Sequence, residues 1–81
     1  MKTKRLINAL EKHGLKVSKC EKRGNRYTCR GVNNKCSWWD QEGSVCCAQV
    51  MGVKEENELY TDYFPGFFAK EIKTIVEYLT K

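Results

Sequence analysis

Histidine and proline each appear once in the 81 residues, as His13 and Pro65. Nothing in the sequence places that single imidazole beside a particular thiol, so no cysteine has an assigned base for nucleophilic chemistry. At the end of a predicted helix, His13 reads as dipole-stabilising or half-buried. No Gly-rich phosphate loop and no nucleophile elbow occurs. Asp40, Glu42 and Asp62 form no acid–base pattern, since the first two belong to a turn. These absences predict a protein that is not an enzyme. No apolar run approaches the roughly 20 residues that cross a bilayer, so no membrane span is expected. The start, Met1 to Leu6, is basic, but polar Asn8 and charged Glu11 and Lys12 come soon after it. The apolar core of a signal peptide is missing there, which makes the cytoplasm the expected compartment. Repeats and low-complexity segments are also lacking.

Cysteine, by contrast, is plentiful, with five residues: Cys20, Cys29, Cys36, Cys46 and Cys47. An odd number without an export signal favours reduced thiols acting as small hydrophobes. A disulfide or a metal set is the competing reading. Structural zinc sites draw ligand pairs from tight knuckles two to four residues apart, a spacing these cysteines do not show. Neighbours on a strand point to opposite faces, so Cys46 and Cys47 are poorly placed to share a metal. No metal and no cofactor is expected.

The net charge of +5 conceals a polarity. Residues 1–35 hold eleven Lys or Arg against Glu11 and Glu21, whereas residues 36–81 hold four Lys against eight acids. The halves therefore carry +9 and −4. Such asymmetry gives a surface whose basic side attracts phosphates or an acidic protein, although small domains also need surface charge for solubility.

At 9.4 kDa the chain is expected to form one domain over residues 1–81, near the lower limit for a self-sufficient core. Leu6, Ile7 and Leu10 recur at helical spacing after Thr3, the expected cap, and Gly14 suits the left-handed stop, which predicts a helix over 3–13. Alternation predicts strands over 15–21, 26–32, 35–39 and 44–51. A three-residue loop with Gly24 in the left-handed position joins the first pair, so that Leu15 and Val17 share a face with Tyr27 and Cys29. Asn33-Asn34 is expected to form a tight hairpin with positive backbone angles, opposing Gly31 to Cys36 and Cys29 to Trp38. Tyr27, Cys29, Cys36 and Trp38 then face the core, while Thr28, Arg30, Ser37 and Trp39 face away. In the fourth strand, with Gly43 as a bulge residue, Cys46, Ala48 and Val50 point inward and Val45 and Cys47 lie beside Trp39. Phe68, Ile72, Ile75 and Leu79 recur at 4, 3 and 4. That spacing predicts a helix over 65–80, with Pro65 in its first turn and Phe68 opening its buried stripe. The expected fold is α+β: an N-terminal helix, a four-stranded antiparallel meander and a C-terminal helix, with both helices on one face of the sheet.

Two surfaces emerge from this arrangement. Lys16, Arg23, Arg26, Arg30 and Trp39 combine cations with an aromatic on or near the outer sheet face, suited to phosphate contact and base stacking or to a protein partner. The order of elements is similar to that of double-stranded-RNA-binding domains. Phe67-Phe68-Ala69-Lys70-Glu71 lacks, however, the basic cluster those domains carry at the start of their second helix. The second surface is the stretch from Thr61 to Phe68, which holds four of the nine aromatic residues. It closes the end of a thin core, or it presents Tyr63, Phe64 and Phe67 as an anchor for a protein.

Gly31, the turn Trp38-Trp39-Asp40-Gln41-Glu42-Gly43, the strand from Cys46 to Val50 and the corner Thr61-Asp62-Tyr63-Phe64-Pro65-Gly66-Phe67-Phe68 resemble one of the large polyvalent protein-associated domain families of bacteriophages and mobile elements. The resemblance spans about Leu6 to Leu79. It implies a phage-delivered accessory factor acting on a host protein or on nucleic acid, and it brings no catalytic residues. The leading expectation is therefore a non-catalytic accessory protein in the host cytoplasm. It binds a host or phage protein, or a second copy of itself as a homodimer. The alternative is a nucleic-acid-binding module that uses the basic N-terminal half.

Overall fold

The computed structural model describes residues 1–56, 61–63 and 66–81, apart from the side chains of residues 53–56 and 61–63. Helix α1 spans Thr3–Lys12 and helix α2 spans Ile72–Leu79. Between them run β1 (Val17–Lys19), β2 (Arg26–Arg30), β3 (Asn34–Trp39), β4 (Ala48–Glu56), β5 (Thr61–Tyr63) and β6 (Phe67–Ala69). The fold is α+β, and every strand pair is antiparallel. The strands follow one another as β1-β2-β3-β4, and both β5 and β6 lie on the far edge of β4. β6 covers residues 48–50 of β4 and β5 covers 53–56, so the two are successive pieces of a fifth strand. This corrects the expected four strands. An uncovered β4 would leave a row of backbone donors and acceptors, and aromatic segments such as Phe67-Phe68 suit a pleated edge.

The same pairing corrects the C-terminal helix, which begins at Ile72 and not near residue 65. Phe68 pairs with Gln49 in the sheet and is 66% exposed, so it does not open the buried stripe. That stripe consists of Ile75, Val76 and Leu79. The proposed role of Pro65 in the helix falls outside the described residues. α2 packs against α1, β3, β4 and β6, and its C-terminal end lies close over the β2–β3 hairpin. Asn34 Nδ2 donates to the Tyr78 carbonyl at 2.6 Å, satisfying one of the last helical acceptors. Gly31 allows the approach, since a Cβ there would run into the Leu79 carbonyl group.

In α1, Leu6 and Leu10 are fully buried one turn apart. The helix ends as expected, with Gly14 at φ +80°. Leu15 N–H donates to Leu10 O and Gly14 N–H to Glu11 O, the paired bonds of a Schellman stop. Its start differs. Lys2 occupies the cap without a side-chain bond, and Thr3 is buried inside the first turn with its hydroxyl donating to Asp40 Oδ1. The chain start is paired with the turn after β3: Thr3 N–H reaches Gly43 O at 3.0 Å and Val45 N–H reaches Met1 O at 2.7 Å. This pairing draws Val45 into the core and leaves Cys46 exposed, reversing the expected pattern, while Ala48 and Val50 are buried. β4 accordingly begins at Ala48, and not near residue 44.

Two hairpins keep the expected faces, and the second shifts in register. Val17 opposes Cys29 and Lys19 opposes Tyr27, with a longer loop over 21–25 in which Gly24 is left-handed. Gly24 N–H returns to Cys20 O, a helix-like turn that takes up the extra residues. In the next hairpin Cys29 opposes Cys36 and Tyr27 opposes Trp38, two residues from the expected pairing. Its turn is Val32-Asn33, closed by Gly31 N–H to Asn34 O, and neither asparagine has a positive φ. Cys29, Cys36, Trp38, Val50, Ala69 and the helix residues named above belong to one core cluster.

Candidate nucleic-acid interface

Trp38 and Trp39 are adjacent, and alternation sends them to opposite sides of β3. Trp38 is 2% exposed and stacks on Tyr27 with ring centroids 5.6 Å apart, whereas Trp39 is 40% exposed. On the Trp39 side the described strand residues are Ser18, Arg26, Thr28, Arg30, Lys35, Ser37, Gln49, Met51 and Phe68. None of these carries a carboxylate. The nearest acid in sequence, Asp40, accepts from the Thr3 hydroxyl.

Arg26 is directly opposite Trp39 across the β2–β3 pair. Its guanidinium carbon lies 5.1 Å from the Trp39 ring centroid, and its Nη2 donates to Ser37 Oγ at 2.9 Å. Arg23, in the preceding loop, places a second guanidinium carbon 5.9 Å from the same ring. Such contacts each contribute about 0.5–1 kcal/mol at exposed sites. Here they hold two cations and an aromatic face at one corner of the sheet. The loop conformation is set by Gly24, and Asn25 Nδ2 ties the loop to the Asp40 carbonyl at 3.0 Å.

Beside this corner a groove of about 270 Å³ runs across the outer face. Arg26, Ser37, Trp39, Gln49 and Phe68 line it from the strands, and Gln41, Cys46 and Cys47 line it from the β3–β4 connection. Ser37, Gln49 and Phe68 form one transverse row over β3, β4 and β6.

Of the five residues expected to form the basic surface, Arg23, Arg26 and Trp39 are brought together. Arg30 is at the other end of β2 opposite Lys35, about 13 Å along the strand from Arg26. Lys16 is exposed just before β1, on the same side of the molecule as Arg30, because Val17 opposes Cys29. Of the expected aromatic anchor, Phe67 is 43% exposed and meets Tyr78 edge-on at 5.3 Å. Phe64 and the side chain of Tyr63 lie outside the described residues. Phe68 and Gln49 were not anticipated. The signal for Phe68 was the aromatic pair after Gly66, which fits an alternating edge strand as well as a helical stripe.

All five cysteines are free thiols. Burial pushes Cys29 up to about 11 and Cys36 up to about 12, with a Cys29 thiolate adding to the latter. Both are therefore protonated at neutral pH and act as core residues. His13 is exposed, and its Nδ1 bonds the Ala9 carbonyl at 2.9 Å one turn back. The chain matches no known protein family, no curated protein and no solved structure. The functional reading accordingly rests on the outer face itself. Among the described residues, no helix is long and apolar enough to cross a membrane.

Proposed function

We propose that the protein is a non-catalytic module that binds nucleic acid on the outer face of its sheet. In this reading the chain is a single domain with both helices on one face. The core cluster supports that arrangement, because α1, α2 and the inward residues of β2, β3, β4 and β6 belong to it together. The observation that carries the proposal is Trp39 with Arg26 and Arg23 against its ring, on a strand face without a described carboxylate. Cations neutralise phosphates, and an exposed indole offers a stacking surface that tolerates any base. The resemblance to phage and mobile-element domains fits an accessory factor working in a host cytoplasm, and it belongs to the same proposal.

The test is binding of labelled DNA and RNA oligonucleotides at low and moderate salt, measured by anisotropy. Affinity is expected to fall steeply with salt, as counterion release requires. Absence of binding even at low salt would sink the proposal.

A second reading, association with a host or phage protein or with another copy of the chain, is favoured by one observation. Phe67 and Phe68 are adjacent, both exposed, and sit on β6, whose strand pairing among the described residues is to β4 alone. An edge with exposed aromatics is suited to strand addition. Sedimentation equilibrium of the wild type and of Phe67→Lys distinguishes a homodimer built on that edge from a monomer.

A further inference from the structure

We propose that the groove between Trp39 and Phe68 is a subsite for one unpaired base, which makes the ligand single-stranded; the proposal rests on the nucleic-acid reading above.

The groove is walled by aromatic side chains. Phe68 is 66% exposed although it is a large apolar residue in a paired strand. It is two strands over from β3 and one pleat repeat along from Trp39. Strand spacing and rise put their Cα atoms about 12 Å apart. Between them the floor is polar: Ser37 is 3% exposed with its hydroxyl receiving Arg26, and Gln49 is exposed. Arg26 lies against the Trp39 ring and bonds Ser37, so its guanidinium sits where that floor meets the indole. One side of the groove is thus a cation packed on an indole, and the other is a phenyl ring. A neutral amide with both a donor and an acceptor stands between them.

That composition matches a nucleobase better than other small ligands. Bases stack on aromatic rings and on guanidinium planes, and their edges present the mixed donors and acceptors that a glutamine amide and a hydroxyl complement. The volume of about 270 Å³ is just under the range of pockets for drug-sized ligands, which suits one ring system with its sugar left outside. The phosphates flanking such a base would run past Arg23, which is exposed beside the same corner. A base inside a duplex has both faces covered by its neighbours and cannot enter between two side chains without being flipped out. The groove therefore discriminates single strands from duplexes, whereas the cations alone do not.

Anisotropy titrations of the full chain would use a labelled single strand, the matching duplex and an abasic oligomer of equal charge, all at one salt concentration. The single strand is expected to bind at least about 10-fold more tightly than either of the others. Phe68→Ala, at a site already exposed, is expected to weaken single-strand binding by about 5- to 100-fold while leaving duplex and abasic binding unchanged. Arg23→Ala should weaken all three together. If single strand, duplex and abasic oligomer bind alike, or if Phe68→Ala weakens all three equally or none, the base subsite is wrong and the phosphate-binding reading stands. If none of the three binds at low salt, both fall.

Discussion

Replacing Gly66 with alanine tests how the sheet is closed and how Phe68 is placed. A Cβ at this position would collide with the Val50 carbonyl, lying 2.7 Å from its carbon and 2.9 Å from Met51 Cα. These atoms are all β4 backbone, so no change of rotamer relieves the overlap and the chain at residue 66 must retreat. β6 starts at the next residue, and its three pairs, Val50 with Phe67, Gln49 with Phe68 and Ala48 with Ala69, loosen with it. Overpacking against a rigid neighbour costs about 1–3 kcal/mol. One weakened strand hydrogen bond adds about 1 kcal/mol. A total of about 2–4 kcal/mol is large against the roughly 4–12 kcal/mol that holds a chain of this length folded. In a domain of this size it corresponds to a Tm lower by roughly 10–25 °C, read by circular dichroism. Gly14→Ala is the control. Gly14 has φ +80° and open space where its Cβ would sit, so only the left-handed backbone penalty of about 1–2 kcal/mol applies. If Gly66→Ala melts within a few degrees of wild type, or if Gly14→Ala is the more damaging change, the close approach of residue 66 to β4 is refuted.

Three further outcomes are expected. Arg23→Ala removes one guanidinium contact from the Trp39 ring and so lowers the melting temperature by about 2–8 °C, and it lowers the slope of log affinity against log salt by about 0.7–0.9; an unchanged slope would remove Arg23 from the phosphate path. Asn34→Ala, which strips the 2.6 Å bond to the Tyr78 carbonyl, lowers stability by about 1 kcal/mol in urea denaturation. An unaffected midpoint would mean that the end of α2 does not depend on this bond. The third concerns alkaline pH. Burial raises Cys29 and Cys36 from 9.0 to about 11 and about 12, so the folded chain keeps protons that the unfolded chain gives up. The stabilisation is whole below pH 9 and is lost as pH rises through the folded values, with a slope of up to about 1.4 kcal/mol per pH unit for each thiol. Urea midpoints of wild type and of Cys29→Ala/Cys36→Ala between pH 8 and 11 check this, since the variant should lose the thiol-dependent part of the decline.

Face membership was legible in the sequence where register was not, and the reason lies in the period of the strand. The Asn33-Asn34 turn predicted Cys29 against Trp38, yet Cys29 opposes Cys36. A shift of two residues preserves which side chains share a face, so Trp38 in the core and Trp39 outside survived the error. In the observed register the end of α2 rests on Gly31 and Asn34, a contact from a segment more than forty positions away that no local window contains. Val45 and Cys46 were lost for the opposite reason. Pairing of the chain start with residues 43–45 changed the pattern there by one position, which exchanges the faces of Val45 and Cys46, whereas Ala48 and Val50 keep theirs. The outer face repeats the contrast. Arg26 and Trp39 were readable because they belong to one local hairpin. Phe68 reaches the same groove from a distant edge strand, and the spacing of Phe68, Ile72, Ile75 and Leu79 satisfied a helix equally well. What separated the two was the unpaired edge of β4, a demand set by tertiary structure and absent from any local window. The corner between Thr61 and Phe68 thus has a different role from the one its proline suggested. Its last residues supply the strand that completes the sheet, and that strand delivers the second aromatic wall of the groove.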